Sequence, residues 1–484
     1  MKKFLSILLI LSMLLSIVSC SNKNNNENSD TDNTDTGTNN DSSTENDSAP
    51  VIELPEINGT EISNFKIVYD KEGLDYNARA AEYIKSEIQK KFSISLTVAD
   101  DSEPQSEHEI VVGETSRAIS SALEAETEGL EFSILAKDGS VALEGDYFII
   151  AAAAYYFVYN LTSATDGKYT ISEEVEIHDP IVKEAKNYII LIGDGMGVNQ
   201  TLLFDQLEDT TDFSDKENFF YGYLLPSQGY SMTNSLSGVT DSAAGGTALS
   251  SGVKTVNGYV GQNKNGEDVL NLTELCASLG MATAVMSTES QTGATPSSFS
   301  AHVNDRYLDD DIEADQEALE DKYGTIIKCN YNYYTARYMN SSVEKRVTDV
   351  LSQLEADEDG FFLMYEEAHI DKHSHNNDME MAFQAVIRFN QVIARFMEHA
   401  FYNPDTFIII TADHETGDLR ANDDGIFEYN SDAHSGANVP IFAYGDGSEI
   451  FNGKTIENVQ IPQTIASFLG IYDFGDQDNY GYLK

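Results

Sequence analysis

Cysteine and basic side chains are scarce in this 484-residue chain. Its 3 cysteines include no CxxC pair, which excludes a disulfide scaffold and a cysteine zinc ribbon. Lysine and arginine number 29 against 81 aspartates and glutamates, for a formal net charge of −52. So acidic a surface repels polyanions, so DNA and RNA are excluded as partners for nonspecific binding. Charged residues make up 23% and hydrophobic ones 41%, the balance of a folded globular protein. The length allows two or three domains of roughly 150 residues each.

Lys2 and Lys3 precede an uncharged run, Phe4 to Ser19, that ends at Cys20. A basic start, a short apolar core and small residues before a cleavage point describe a secretory signal, and the run falls short of the ~20 residues a membrane span needs. Ile17-Val18-Ser19-Cys20 resembles a bacterial lipoprotein signal. That resemblance implies removal of residues 1–19, acylation of Cys20, and an exported protein lipid-anchored to the cell envelope, on the outer face of the cytoplasmic membrane or in an outer membrane. Residues 20–52 read as a polar tether: from Ser21 to Ser48 every residue is Asn, Ser, Asp, Thr, Glu, Lys or Gly, and nothing there can bury apolar surface.

Residues 53–183 read as a small α/β unit. Phe65 to Tyr69 and Glu109 to Gly113 have strand character, and Asn77 to Phe92 has helical spacing, with Ala81, Tyr83, Ile84, Ile88 and Phe92 on related faces. The apolar run Tyr147 to Leu161 is too short to span a membrane and predicts a buried helix. No catalytic constellation falls here. A positioning or ligand-binding role and a passive spacer both remain open.

Chemistry gathers in residues 184–484. A buried-type strand from Asn187 runs into Gly193-Asp194-Gly195, a second from Thr406 into Ala412-Asp413-His414, and a third from Phe361 into Glu366. In parallel sheets the carboxyl ends of strands line the ligand crevice. Acid and imidazole side by side suit a divalent metal of the zinc type. Asp371 and His375 stand four apart, on one face of a helix, and His434 in a polar loop is placed to complete that group. A lone histidine is usually a surface or satisfied core residue, but five of the nine histidines fall in these segments. His369 and His373 are read as solvent-facing or supporting. Ser242 precedes a run of small residues suited to a helix that opens against an anion. A serine there is ordinarily a cap. With two metal groups and no Ser-His-Asp order in the chain, it reads instead as a metal-activated nucleophile.

The strings I-G-D-G-M-G, T-D-S-A-A-G-G-T-A, G-A-T-P-S-S-F-S-A-H-V-N-D-R, D-K-x-x-H and T-A-D-H-E-T-G resemble those of the alkaline phosphatase family, in the family's order. The resemblance implies a three-layer α/β sandwich on a central, mostly parallel sheet, preceded here by the small α/β domain. It implies hydrolysis of small phosphate monoesters through a phosphoserine at Ser242. One zinc is then held by Asp371, His375 and His434, another by Asp194, Asp413 and His414, and a magnesium by Asp194, Thr295 and Glu366. Arg306 would grip phosphate through its planar fork, with Lys372 contacting phosphate or a metal-bound water. Two departures stand out. Gly293 occupies a position where family members often carry Asp or His beside the magnesium, which predicts a looser or altered third metal. The stretch between Arg306 and Glu366 is short, which weakens the expectation of a homodimer. Sulfatases, phosphodiesterases and phosphoglycerate mutases share the strand-end ligands. However, Ser242 is followed by Ala-Ala-Gly rather than a sulfatase-type x-P-x-R, and diesterases usually offer threonine and lack an Arg306 equivalent. An inactive surface-binding lipoprotein is the remaining alternative, opposed by the joint presence of every ligand, the serine and the arginine.

Overall fold

The computed structural model describes residues 54–72, 75–123, 125–206, 219–329 and 341–484. The signal, Cys20 and the tether lie outside the described residues. Residues from Glu53 to Lys484 cluster as one compact unit, containing two principal sheets.

The larger sheet has eight strands in the order Ile326–Cys329, Ala282–Ser287, Phe361–Glu367, Asn187–Gly193, Thr406–Thr411, Val439–Tyr444, Ser227–Met232, Thr455–Glu457. Only Val439–Tyr444 runs against the others. The three central strands carry near-continuous apolar runs because both faces of a mostly parallel sheet are covered. Alternate side chains part cleanly. Ile189, Leu191, Leu363, Tyr365, Ile408 and Ile410 pack on one side, with helix Met379–Tyr402. Tyr188, Ile190, Phe362, Met364, Phe407 and Ile409 pack on the other, with helices Leu272–Ser278 and Gln460–Phe468. Helix, sheet and helix thus form three layers, the α/β sandwich expected. The expected strand from Phe361 extends one residue past Glu366, to Glu367.

The smaller sheet has six strands in the order Val98–Asp100, Lys66–Tyr69, Glu109–Val112, Ser140–Glu144, Phe132–Lys137, Glu176–His178. Helix Asp75–Phe92 buries Ala80, Ala81, Ile84 and Ile88. The apolar run from Tyr147 forms a short 3-10 turn and then helix Ile150–Ser163, whose Ile150 to Ala154, Phe157, Val158 and Leu161 are buried. Among the described residues no helix is long and apolar enough to cross a membrane. Helix Ile150–Ser163 packs on both Asp75–Phe92 and Met379–Tyr402, so one apolar core joins the two sheets. Tyr83 stacks on Tyr402 with ring centroids 4.1 Å apart, and Arg79 Nε donates to Glu398 Oε1 at 2.8 Å across the same junction. Cys276 and Cys329 are free thiols.

Candidate active site

The three central strands end side by side, because Ile192 pairs with both Glu366 and Thr411 in parallel register. This equal termination delivers Asp194, Glu366 and Asp413 to one crevice although they lie far apart in sequence. Gly195 fixes how closely the next element approaches. Its φ of 73° favours glycine, and an added Cβ would lie 2.8 Å from Asp371 Cα and 2.9 Å from Thr416 Oγ1. Asp371 therefore sits directly against the end of the first strand. The glycine-rich turn admits another backbone segment at this point, where the sequence pattern suggested a ligand.

Ser242 is the first residue of helix Ser242–Ser251, and Asp241 is its cap, accepting from Ala244 N at 3.0 Å. The serine hydroxyl is thus free of the capping duty that such a serine usually performs, and it stands at the positive end of the helix. Its Oγ lies 3.2 Å from His414 Nε2. The same nitrogen lies 3.5 Å from Asp194 Oδ1 and 3.3 Å from Asp413 Oδ2. Both carboxylate atoms are buried without a hydrogen-bond partner. One imidazole N–H cannot satisfy two carboxylates and a hydroxyl together, whereas a cation among them can.

The adjoining group is more open. His375 Nε2 and His434 Nε2 lie 3.0 Å apart, and each is close to Asp371 Oδ1, at 3.3 and 3.5 Å. His375 Nδ1 lies 2.6 Å from Asp432 O and His434 Nδ1 2.8 Å from Thr240 O, which leaves both Nε2 atoms as the lone pairs turned inward. His434 lies in a two-residue strand, His434–Ser435, paired with Glu415–Thr416, instead of the polar loop expected. Two sets of donor atoms, each within 4.8 Å of one another, result: Asp371, His375 and His434, and Asp194, Asp371 and His414. Asp371 therefore adjoins both groups. Asp413 borders the second through His414.

The electrostatics follow from crowding acids in a dry space. Burial, followed by the charges of Asp413 and Asp371, pushes Asp194 well above the ordinary carboxylate range. Burial and then Asp371 push Asp413 up to about 6. Burial and neighbouring His434 push His414 down to about 3, keeping it neutral and able to ligate. Burial opposes ionisation of Asp371 as well, but the His434 hydrogen bond and the His414 and His375 charges hold it well below the usual range. Such a cluster is stable with its acids charged only when divalent cations share the space.

The residues expected to hold magnesium are buried and in part unpartnered. Glu366 is fully buried, with Oε2 accepting from Ser287 Oγ and Oε1 unpartnered. Thr295 Oγ1, in helix Ala294–Ser298, is likewise buried without a partner. These oxygens suit a hard cation. Arg306 Nη1 donates to Asp241 Oδ2 at 3.2 Å, so the residue before the serine tethers the guanidinium. Lys372 Nζ is paired with Glu289, and there is no acid at 293 for it to meet. His369 and His373 are 1% and 7% exposed, turned inward rather than to solvent. Sequence reasoning missed Asp241, Ser287, Glu289 and Thr416, the last of which donates to Asp371. Only the position of Asp241 immediately before the candidate serine offered a signal.

Comparison with known proteins defines the class. The alkaline phosphatase family profile matches residues 185–332 and 327–428. Alkaline phosphatase 3 of Bacillus subtilis is 27% identical over 337 residues, covering 59% of this chain and 71% of the relative. Among solved structures, alkaline phosphatase from the Antarctic bacterium TAB5 superposes with a TM-score of 0.51 at 25% identity, covering 60% of this chain and 99% of that one. A variant of that enzyme, with magnesium bound in its M3 site, aligns with a TM-score of 0.50 at 25% identity over the same shares. The chain belongs to the alkaline phosphatase family, and its site is that of a phosphatase-type hydrolase acting on phosphoesters.

Proposed function

We propose that the protein hydrolyses phosphate monoesters through a covalent phosphoserine at Ser242, with two zinc ions and one magnesium. The observation that carries this reading is the convergence of Ser242 Oγ, His414 Nε2 and two unpartnered carboxylate oxygens in a buried crevice. His375, His434 and Asp371 would hold one zinc, Asp194, Asp413 and His414 the other, and Asp194, Thr295 and Glu366 the magnesium. Cations there would lower the pKa of the serine hydroxyl and later of water, and would neutralise charge on the leaving oxygen.

The chain's own residues then divide the work. Ser242 Oγ gives up its proton and bonds to phosphorus as the P–O bond to the alcohol breaks. The alcohol leaves with a proton. Water next attacks the phosphoserine, inorganic phosphate departs and the hydroxyl is restored. Arg306, held by Asp241, binds two nonbridging oxygens. The open end of helix Ser242–Ser251 stabilises charge spread over the transferring group.

An aryl phosphate assay tests this directly. Chelation and Ser242→Ala should each abolish turnover, and Ser242→Ala should retain zinc in elemental analysis. Chelator-insensitive hydrolysis, or an active Ser242→Ala, would refute the mechanism.

We also propose export with lipid anchorage at Cys20, supported by the basic-apolar-Cys pattern of residues 1–20. Residues 53–183 would then be an accessory unit on the envelope side of the tether.

A further inference from the structure

The loop between strand Ala282–Ser287 and helix Ala294–Ser298 carries a carboxylate that the mechanism above does not use. Glu289 folds back over this loop into the space beside Gly293, where a Cβ at position 293 would overlap its carboxylate. Gly293 has φ −57° and ψ 149°, a backbone conformation open to any residue. Conformation therefore does not demand glycine there. The space is taken instead by the end of the flexible Glu289 side chain, which a Cβ at 293 would displace.

Glu289 is also tied to the third group of predicted ligands. Its backbone N donates to Ser287 Oγ at 3.0 Å, and that hydroxyl donates to Glu366 Oε2. Glu289 Oε2 accepts from Lys372 Nζ, while Oε1 has no hydrogen-bond partner among the described residues. Three further oxygens, Asp194 Oδ1, Glu366 Oε1 and Thr295 Oγ1, are buried in the same state. Lys372 feels three carboxylates, those of Glu289, Glu366 and Asp194, an excess of negative charge that a single divalent cation would offset. A cavity of about 330 Å³ bordered by Glu289, Thr292, Gly293, Arg306 and Lys372 gives water and ions access.

We propose that Glu289 completes the third cation site of this chain from a loop position, filling the volume that a side chain at 293 would otherwise occupy and sharing its carboxylate between Lys372 and the cation or its hydration shell. The proposal rests on the assignment of that site to Asp194, Thr295 and Glu366, and it deepens that assignment. Magnesium fits the chemistry, because the donors are hard oxygens and the site opens to water, which magnesium tends to retain. The missing side chain at 293 then does not mean a weak site, contrary to what sequence alone predicts.

The test uses full-length, zinc-loaded protein freed of magnesium by dialysis and titrated with Mg2+, bound magnesium being read by elemental analysis. Titration with Mn2+, read by electron paramagnetic resonance, gives a second measure. Glu289→Gln keeps the volume and removes the charge. It should weaken magnesium binding by about tenfold or more, the scale expected when an orienting partner is lost, with zinc content unchanged. In the double variant Glu289→Ala with Gly293→Asp, a carboxylate returns to the vacated volume and binding should recover relative to Glu289→Ala alone. Wild-type magnesium affinity in Glu289→Gln, or no recovery in the double variant, would overturn the proposal. An active wild-type enzyme lacking this dependence would defeat the Glu289 role alone. A zinc-loaded wild type that hydrolyses no ester but shows the dependence would defeat the phosphatase reading and leave this site standing.

Discussion

Stripping the metals should make the fold more stable as pH falls from 8 to 6, the reverse of what the loaded protein does. Without cations, Asp194, Asp413 and Glu366 share one buried space. Burial, then Asp413, raises Asp194; burial, then Glu289, raises Glu366; burial, then Asp371, raises Asp413 to about 6. A group whose folded pKa exceeds its unfolded one contributes stability that is complete below the unfolded value and is lost as pH rises through the folded value. For Asp413 the interval from its ordinary 3.8 to about 6 corresponds to about 3 kcal/mol. Only the upper edge of that interval falls between pH 6 and 8. Asp194 and Glu366, both raised, act in the same direction. Burial would lower His434, but Asp371 raises it overall, so it acts in the same direction as the acids. His414 opposes them: buried neutral at about 3, it loses stability as pH falls below its unfolded 6.5, and this begins only at the bottom of the window. Asp371, held low, contributes nothing until the pH is far more acid. Chelated protein should therefore melt higher at pH 6 than at pH 8. Loaded protein should melt lower at pH 6, because proton competition weakens the cations that stabilise it by mass action. Scanning calorimetry of both forms across this range is the assay. A chelated melting temperature that stays flat or falls on acidification would refute the idea that these carboxylates crowd one another.

Arg306→Ala should lower kcat/KM for phosphate esters by roughly ten- to hundredfold, the scale of a lost charge-assisted hydrogen bond, and should weaken inhibition by inorganic phosphate. Asp241→Asn keeps an oxygen for the helix cap but loses the charge that tethers Arg306, so a smaller loss appearing mainly in KM is expected; unchanged phosphate affinity in Arg306→Ala would remove its assigned role. Cys20→Ser should release the exported protein from the membrane fraction, and continued sedimentation with membranes would contradict lipid anchorage at that residue.

The candidate ligands were legible for a physical reason. Strands buried on both faces read as uninterrupted apolar runs, so an acid at their ends, as at Asp194 and Asp413, stands out against them, whereas the third strand ends in the pair Glu366-Glu367, which contrast alone does not separate. Ser242 was legible for the same reason, since small residues along a fully buried helix leave its first hydroxyl as the reactive group. The supporting residues carry no such contrast. Ser287, Glu289 and Thr416 are ordinary polar residues at loops and strand edges, and their partners Glu366, Lys372 and Asp371 lie 79, 83 and 45 positions away. No periodicity links such pairs. The helix from Ile150 was legible as buried, but the sequence could not show that it packs on Met379–Tyr402, because an apolar face does not name its partner.

Position 293 shows what this asymmetry costs. A missing side chain is a strong local signal, and taken locally it predicts a weakened metal site. Folded, the same absence is the clearance that lets Glu289 in, since a Cβ there would overlap the carboxylate. Glycine and glutamate are then one device, with neither residue interpretable alone. The charges agree: removing Glu289 would leave Lys372 without its ion-pair partner beside the site, whereas retaining it leaves Asp194 and Glu366 available to a cation. Loss of a family side chain in a sequence is therefore evidence of lost chemistry only after the vacated volume has been shown to be empty, and here it is filled by an acid.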